Sequence, residues 1–144
     1  MAFVISNEGE KLLIEAALGK VAAGALKLKL FKVDVTPGHA DTVATYTEAN
    51  FTDYVAITLA TASWNAGTAG TGTGTALANK AYIDYAQQTF TMGTPGTTNT
   101  VYGYYVTDNA GTTLIGAEKF TTSKPMLLAG DAIKITPKFT LGTE

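Results

Sequence analysis

The chain has no cysteine. Disulfides, thiolate nucleophiles and zinc–thiolate sites are therefore excluded, and the redox compartment leaves no mark on the composition. There is no arginine either: all ten cationic side chains are lysine. Arginine is the usual reader of phosphates and base edges, so with a formal net charge of −2 no nucleic-acid partner is expected. Histidine occurs once, as His39, and charged residues make up only 15% of the chain. No apolar run reaches the roughly 18 to 20 residues that span a bilayer, so no membrane partner is expected. The start, "MAFVISNEGEKLL", lacks a basic region and is interrupted by Glu8 and Glu10. It does not read as a signal peptide, and synthesis in the cytoplasm is expected.

What remains is apolar and small. Of 144 residues 46% are hydrophobic, enough for one domain with a real core and too many for a disordered chain. Thr is the commonest residue, with Ala and Gly close behind. Thr is β-branched and suits a pleated, half-solvated surface, so a mainly β domain is expected.

One helix is legible near the start. Asn7 or Ser6 serves as N-cap, and Glu10 lies three residues after Asn7 as a capping box requires. Leu13, Ile14, Ala17 and Leu18 form an apolar face at helical spacing, and Gly19 is a natural stop. The period then changes to two. "LKLKLFKV" places Leu26, Leu28 and Leu30 on one face and Lys27, Lys29 and Phe31 on the other, which reads as a wet outer face more readily than as a phosphate-binding row. "DVTPGHAD" is a turn cluster, "TEANF" reads as one helical turn capped by Thr47, and Trp64 is placed at one end of the core. The segments "YVAITLA", "KAYIDYA", "QQTFTM", "TVYGYYVTD", "TLIGAEKFT", "KPMLLA" and "AIKITPKFTL" read as strands. "DNAG" at 108–111 and "LAGD" read as turns, and Pro137 marks an edge or a bulge in the last strand. The expected fold is an antiparallel β-sandwich, jelly-roll-like, or a small β-barrel, with one N-terminal helix. Residues 1–25 form the N-terminal segment and helix, and residues 26–144 the β domain, of one compact unit.

The run "AGTAGTGTGT" at 66–75 invites comparison with phosphate loops. A Walker loop needs Gly-Lys-Ser/Thr, and the run holds no Lys; Lys80 is followed by Ala81. A dinucleotide fingerprint needs glycines at i, i+2 and i+5, but Thr75 and Leu77 stand at the third positions. It reads as a flexible loop between strands, able to lie against a neighbouring subunit. His39 with Asp34 and Asp41 is the nearest approach to a general base, and a lone His in a Pro-Gly turn is more often a surface residue. Ser6, Ser63 and Ser123 sit in no nucleophile motif, and the carboxylates are scattered. No catalytic residue, cofactor or metal site is assigned, and no enzymatic activity is expected.

Aromatic residues offer more. Tyr102, Tyr104 and Tyr105 crowd one strand, and Tyr82 and Tyr85 occupy another. Strict alternation puts Tyr104 on the face of Tyr102 and Tyr105 on the opposite one; such rings either reach solvent, a partner or a sugar, or stack across strands of their own sheet. The apolar Phe3, Val4 and Ile5 precede the helix cap. They either insert into, or add a strand to, a neighbouring molecule, or fold back as a staple on their own domain. Phe3, Val4, Ile5, Tyr102, Tyr104 and Tyr105 are the candidate interface residues.

The order "SNEGEKLLIEAALGK", "LKLKLFKVDVTP", "ATYTEANFTDYVAITL", "QTFTMG", "TVYGYYVTDNAGTTLIGAEKF" and "LAGDAIKITPKFTL" resembles small structural proteins of tailed-bacteriophage virions. The resemblance covers most of the chain and is one of overall pattern. It implies a capsid cement, or decoration, protein on the outer head shell. Its partners would be the major capsid protein and further copies of itself, as a homotrimer. A tail-fibre or receptor-binding component that contacts host-surface glycan is the alternative.

Overall fold

The computed structural model describes residues 2–22, 24–69, 80–94 and 96–142. The two-residue alternation of "LKLKLF" produces β2 (Leu26–Phe31), the strand next to one edge of a five-stranded antiparallel sheet. β1 (Val4–Ile5), β8 (Leu114–Met126) and β7 (Asn99–Asp108) lie in that order to one side, and β3 (Ile57–Leu59) to the other. A three-stranded sheet follows the order β10 (Lys138–Gly142), β5 (Lys80–Asp84), β4 (Thr68–Ala69). A further pair joins β6 (Gln88–Thr91) to β9 (Ala132–Ile135). Leu28, Leu30, Val101, Tyr104, Val106 and Ile115 of the large sheet share one buried cluster with Phe90, Ile133, Ile135 and Phe139 of the smaller sheets. The protein is thus mainly β, with antiparallel sheets packed face to face and one N-terminal helix.

The second face of β2 is not wet. Phe31 is fully buried there with Tyr46, Tyr105, Leu114 and Ala117. The long connection after β2 folds back across this face and carries Tyr46, which stacks on Tyr105 at 5.3 Å. It then rejoins the free edge of β2, where Lys32 N donates to Thr47 O and Ala49 N to Leu30 O. "TEANF" is consequently extended, with Glu48 bridged to Phe31, and the helical turn lies earlier, as a 3-10 turn at Val43–Thr45. Edge pairing competes successfully with a single isolated turn, which gains one hydrogen bond for several fixed dihedrals.

Two strand boundaries also differ from expectation. "TLIGAEKFT" and the start of "KPMLLA" are one strand, β8. Gly103 pairs with Lys119 and Val101 with Lys124, so Phe120–Ser123 bulge opposite Tyr102 alone. The same irregularity resets alternation in β7: Tyr104 enters the inter-sheet core, while Tyr102 packs beside Tyr105 on the opposite face. "AIKITPKFTL" is divided at Pro137, where β9 ends and β10 starts in another sheet; Tyr85 N donates to Pro137 O at the crossing. The turn at 108–111 forms as expected, with Gly111 at φ +79° and Asp108 accepting from Thr112 N and Thr113 N.

Candidate interaction surface

The site is built outward from the helix, α1 (Asn7–Ala17). Ser6 is its N-cap: Ser6 Oγ accepts from Gly9 N at 3.0 Å and donates to Leu114 O at 2.6 Å. Glu8 carboxylate accepts from Leu114 N at 3.3 Å, so the first turn is bonded to the start of β8. Gly9 lies on the Ile115 backbone with no space for a Cβ. At the other end Gly19 adopts φ +69°, Gly19 N donates to Ala16 O and Lys20 N to Glu15 O, closing a Schellman motif.

This docking selects the inward face. Leu12 packs on the core, and Leu12, Leu13 and Ala16 line a cleft of about 310 Å³ beneath the helix. Ile14, Ala17 and Leu18 turn to solvent, with Ile14 59% and Leu18 79% exposed. The expected apolar face of Leu13, Ile14, Ala17 and Leu18 is therefore corrected. The helix has two apolar faces, and the close approach at Gly9 decides which one is buried. The charged side chains of the helix are Glu8, Glu10, Lys11 and Glu15, with Lys11 and Glu15 3.5 Å apart.

The opposite wall of the cleft is Trp64, Ile83 and Phe139. Phe139 is held between Phe3, at 5.0 Å, and Trp64, stacked at 5.2 Å. A second apolar hollow of about 360 Å³ continues past Leu13, Ile83 and Phe139 to Ala81, Tyr82 and Leu141. Lys138 Nζ sits 4.0 Å over the Tyr82 ring, a cation–π contact at this end. Leu141 is half exposed at the rim. A helix apolar on both sides, beside an apolar cleft, is the pattern of an element covered by another surface.

The interface residues expected from sequence are placed largely inside the chain. Ile5, Tyr104 and Tyr105 are buried, and Phe3, Val4 and Tyr102 are half-buried. Val4 and Ile5 add a strand to β8 of their own sheet, opposite Ala117 and Gly116. Burial pushes the Tyr104 hydroxyl far above the ordinary phenol range, helped by its 2.7 Å hydrogen bond to Glu118. A partner could reach Tyr104 or Tyr105 only by opening the core. The residues now found at the surface, Ile14, Leu18 and Leu141, were legible only as apolar periodicity without a direction.

The groups considered for chemistry are engaged singly. His39 is exposed, with Nδ1 2.9 Å from Ile5 O. Asp41 accepts from Tyr46 Oη at 2.7 Å and Gly38 N at 2.8 Å, while Asp34 pairs with Lys119. Ser6 is committed to the cap. Sequence reasoning missed Glu48, which receives Lys29 Nζ at 2.9 Å and Tyr54 Oη at 3.0 Å. Tyr54 Oη in turn accepts from Leu30 N, so this cluster ties the connecting segment to β2. Among the described residues no three His, Asp or Glu side chains gather as a metal site would require. Ala66 and Gly67 of the Gly–Thr run are exposed and Thr68–Ala69 pair with β5; the rest of that expected loop lies outside the described residues. Comparison with protein-family models, with curated proteins and with solved structures gave no match.

Proposed function

We propose that this chain is a structural component of a tailed-bacteriophage particle: a cement protein that binds the outer head shell and stabilises contacts between capsomers, acting as a homotrimer. The observation that carries this reading is the exposed apolar ridge of Ile14, Ala17 and Leu18, beside the apolar cleft floored by Phe139. Such a surface serves association, and several weak copies bound together give durable attachment. The sequence pattern described above supplies the particle. The alternative, glycan recognition in a tail fibre, calls for exposed stacking rings. Tyr85, Tyr104 and Tyr105 are buried and Trp64 is stacked on Phe139, which favours the first reading.

The test is the copy number of this protein in purified virions, measured by quantitative mass spectrometry against the major shell subunit. A number comparable to the shell subunit is expected. About a dozen copies would move the protein to the tail, and absence from the particle would remove both readings.

A further inference from the structure

A groove lies between β8 and β9, and two features there point to a ligand of one kind. The first is backbone. β9 pairs with β6 on one edge only among the described residues. Met92 N donates to Asp131 O and Gly130 N to Met92 O, with Gly130 at φ +93°, which makes a glycine bulge at the head of this pair. Counting on from it by the antiparallel alternation, Ile133 and Ile135 carry the bonds to Phe90 and Gln88. Ala132 and Lys134 then direct their N–H and C=O groups away from β6, without a strand partner among the described residues. Across the seam β8 is interrupted by its Phe120–Ser123 bulge, so the two walls do not close on each other. Between them runs a groove of about 540 Å³, within the usual range for ligand clefts.

The second feature is charge. The groove is lined by Lys124 from one wall and Lys134 from the other. Neither forms an ion pair among the described residues. The one acidic residue lining the groove, Glu118, is turned to the Tyr104 hydroxyl. Two unpaired cations thus face one groove in a chain of net charge −2. Thr121 and Thr122, exposed by the bulge, add hydroxyls. A lone edge lysine serves to repel a second edge. Lysines on both walls also select for the opposite charge between them.

We infer that this groove binds an extended acidic peptide segment, which adds as a strand along the free edge of β9 and directs its carboxylates to Lys124 and Lys134. Strand addition supplies sequence-independent affinity through the Ala132 and Lys134 backbone, and the two ammonium groups supply selectivity. The site is separate from the helix ridge and does not depend on the virion reading.

The experiment is fluorescence anisotropy on the purified full chain, with a fluorescein-labelled octapeptide of alternating Glu and Val. A Lys-for-Glu peptide and a labelled oligonucleotide of equal charge are the controls. Saturable binding of the acidic peptide alone is expected, weakening as salt rises. Lys124→Glu combined with Lys134→Glu should weaken it at least tenfold. Ala132→Pro should do the same, because it removes only an N–H that points away from β6. Thermal melts establish that each variant is folded, and the exposed lysine pair tests the proposal even if the proline variant does not fold. Absence of saturable binding, binding that survives the charge reversal, binding unchanged in folded Ala132→Pro, or tighter binding of the oligonucleotide would each overturn the inference.

Discussion

Ser6 Oγ donates a 2.6 Å hydrogen bond to Leu114 O, 108 residues further along the chain, while it caps its own helix through Gly9 N. One fully buried hydroxyl therefore joins the start of α1 to the start of β8. Ser6→Ala removes the cap and leaves the Leu114 carbonyl without this donor. The expected loss is about 1–3 kcal/mol of unfolding free energy, measured by urea denaturation.

Gly9 and Gly24 make a matched pair of substitutions. A Cβ at Gly9 meets the Ile115 backbone, which cannot move without breaking the sheet, whereas a Cβ at Gly24 meets nothing within 4 Å. Gly9→Ala is expected to destabilise by roughly 2 kcal/mol or more and to shift Trp64 fluorescence as the helix lifts from the cleft. Gly24→Ala should stay within about 0.5 kcal/mol of the parent. Equal melting temperatures for the two would refute the close-packed docking of α1.

Four of the seven tyrosines should resist ionisation. Burial is the main cause in each; hydrogen bonds to Asp41, Glu48 or Glu118 add to it, and the Leu30 amide only partly offsets it at Tyr54. Their folded pKa values lie above those of the unfolded chain. Their contribution to stability is therefore complete below about pH 10 and declines as pH rises beyond it. A spectrophotometric titration should show fewer than seven phenols ionising before alkaline unfolding, then the remainder together with it.

Two aspartates act in the opposite direction. At Asp108 partial burial raises the pKa, but the amides of Thr113 and Thr112 and the Thr112 hydroxyl outweigh it and hold the carboxyl below its usual range. At Asp131 the Leu127 and Leu128 amides, each 2.8 Å from Oδ2, lower it. A depressed folded pKa contributes stability above about pH 4 that is lost as pH falls through the folded value. Asp108→Asn with Asp131→Asn should flatten the acid limb of a plot of melting temperature against pH.

Ile14→Asp with Leu18→Asp tests the exposed ridge. Both side chains are largely solvated in the isolated chain, so the melting temperature should change little. Binding to head shells lacking this protein, measured by co-sedimentation, should fall at least tenfold. Undiminished binding would remove the ridge from the proposed contact.

Much of the local structure follows from neighbours in the chain. The cap at Ser6 or Asn7, the stop at Gly19, the alternation of Leu26, Leu28 and Leu30, the turn at 108–111 and the interrupted ladder at Pro137 all rest on chemistry within a few residues. These features are readable because φ restrictions, missing amide hydrogens and side-chain periodicity act locally. The mainly β class follows from their sum.

The tertiary structure decided what depends on distant partners. Leu12, Leu13 and Ala16 and the Ile14–Leu18 ridge are equally apolar by spacing, and contact of Gly9 with Ile115 chooses between them. The bulge opposite Tyr102 exists only once β7 and β8 pair, and it moves that ring to the face of Tyr105. The second face of β2 looks wet until Tyr46 is brought across it. In each case the deciding contact joins residues far apart in sequence. Periodicity specifies which side chains share a face, but only packing decides what that face meets.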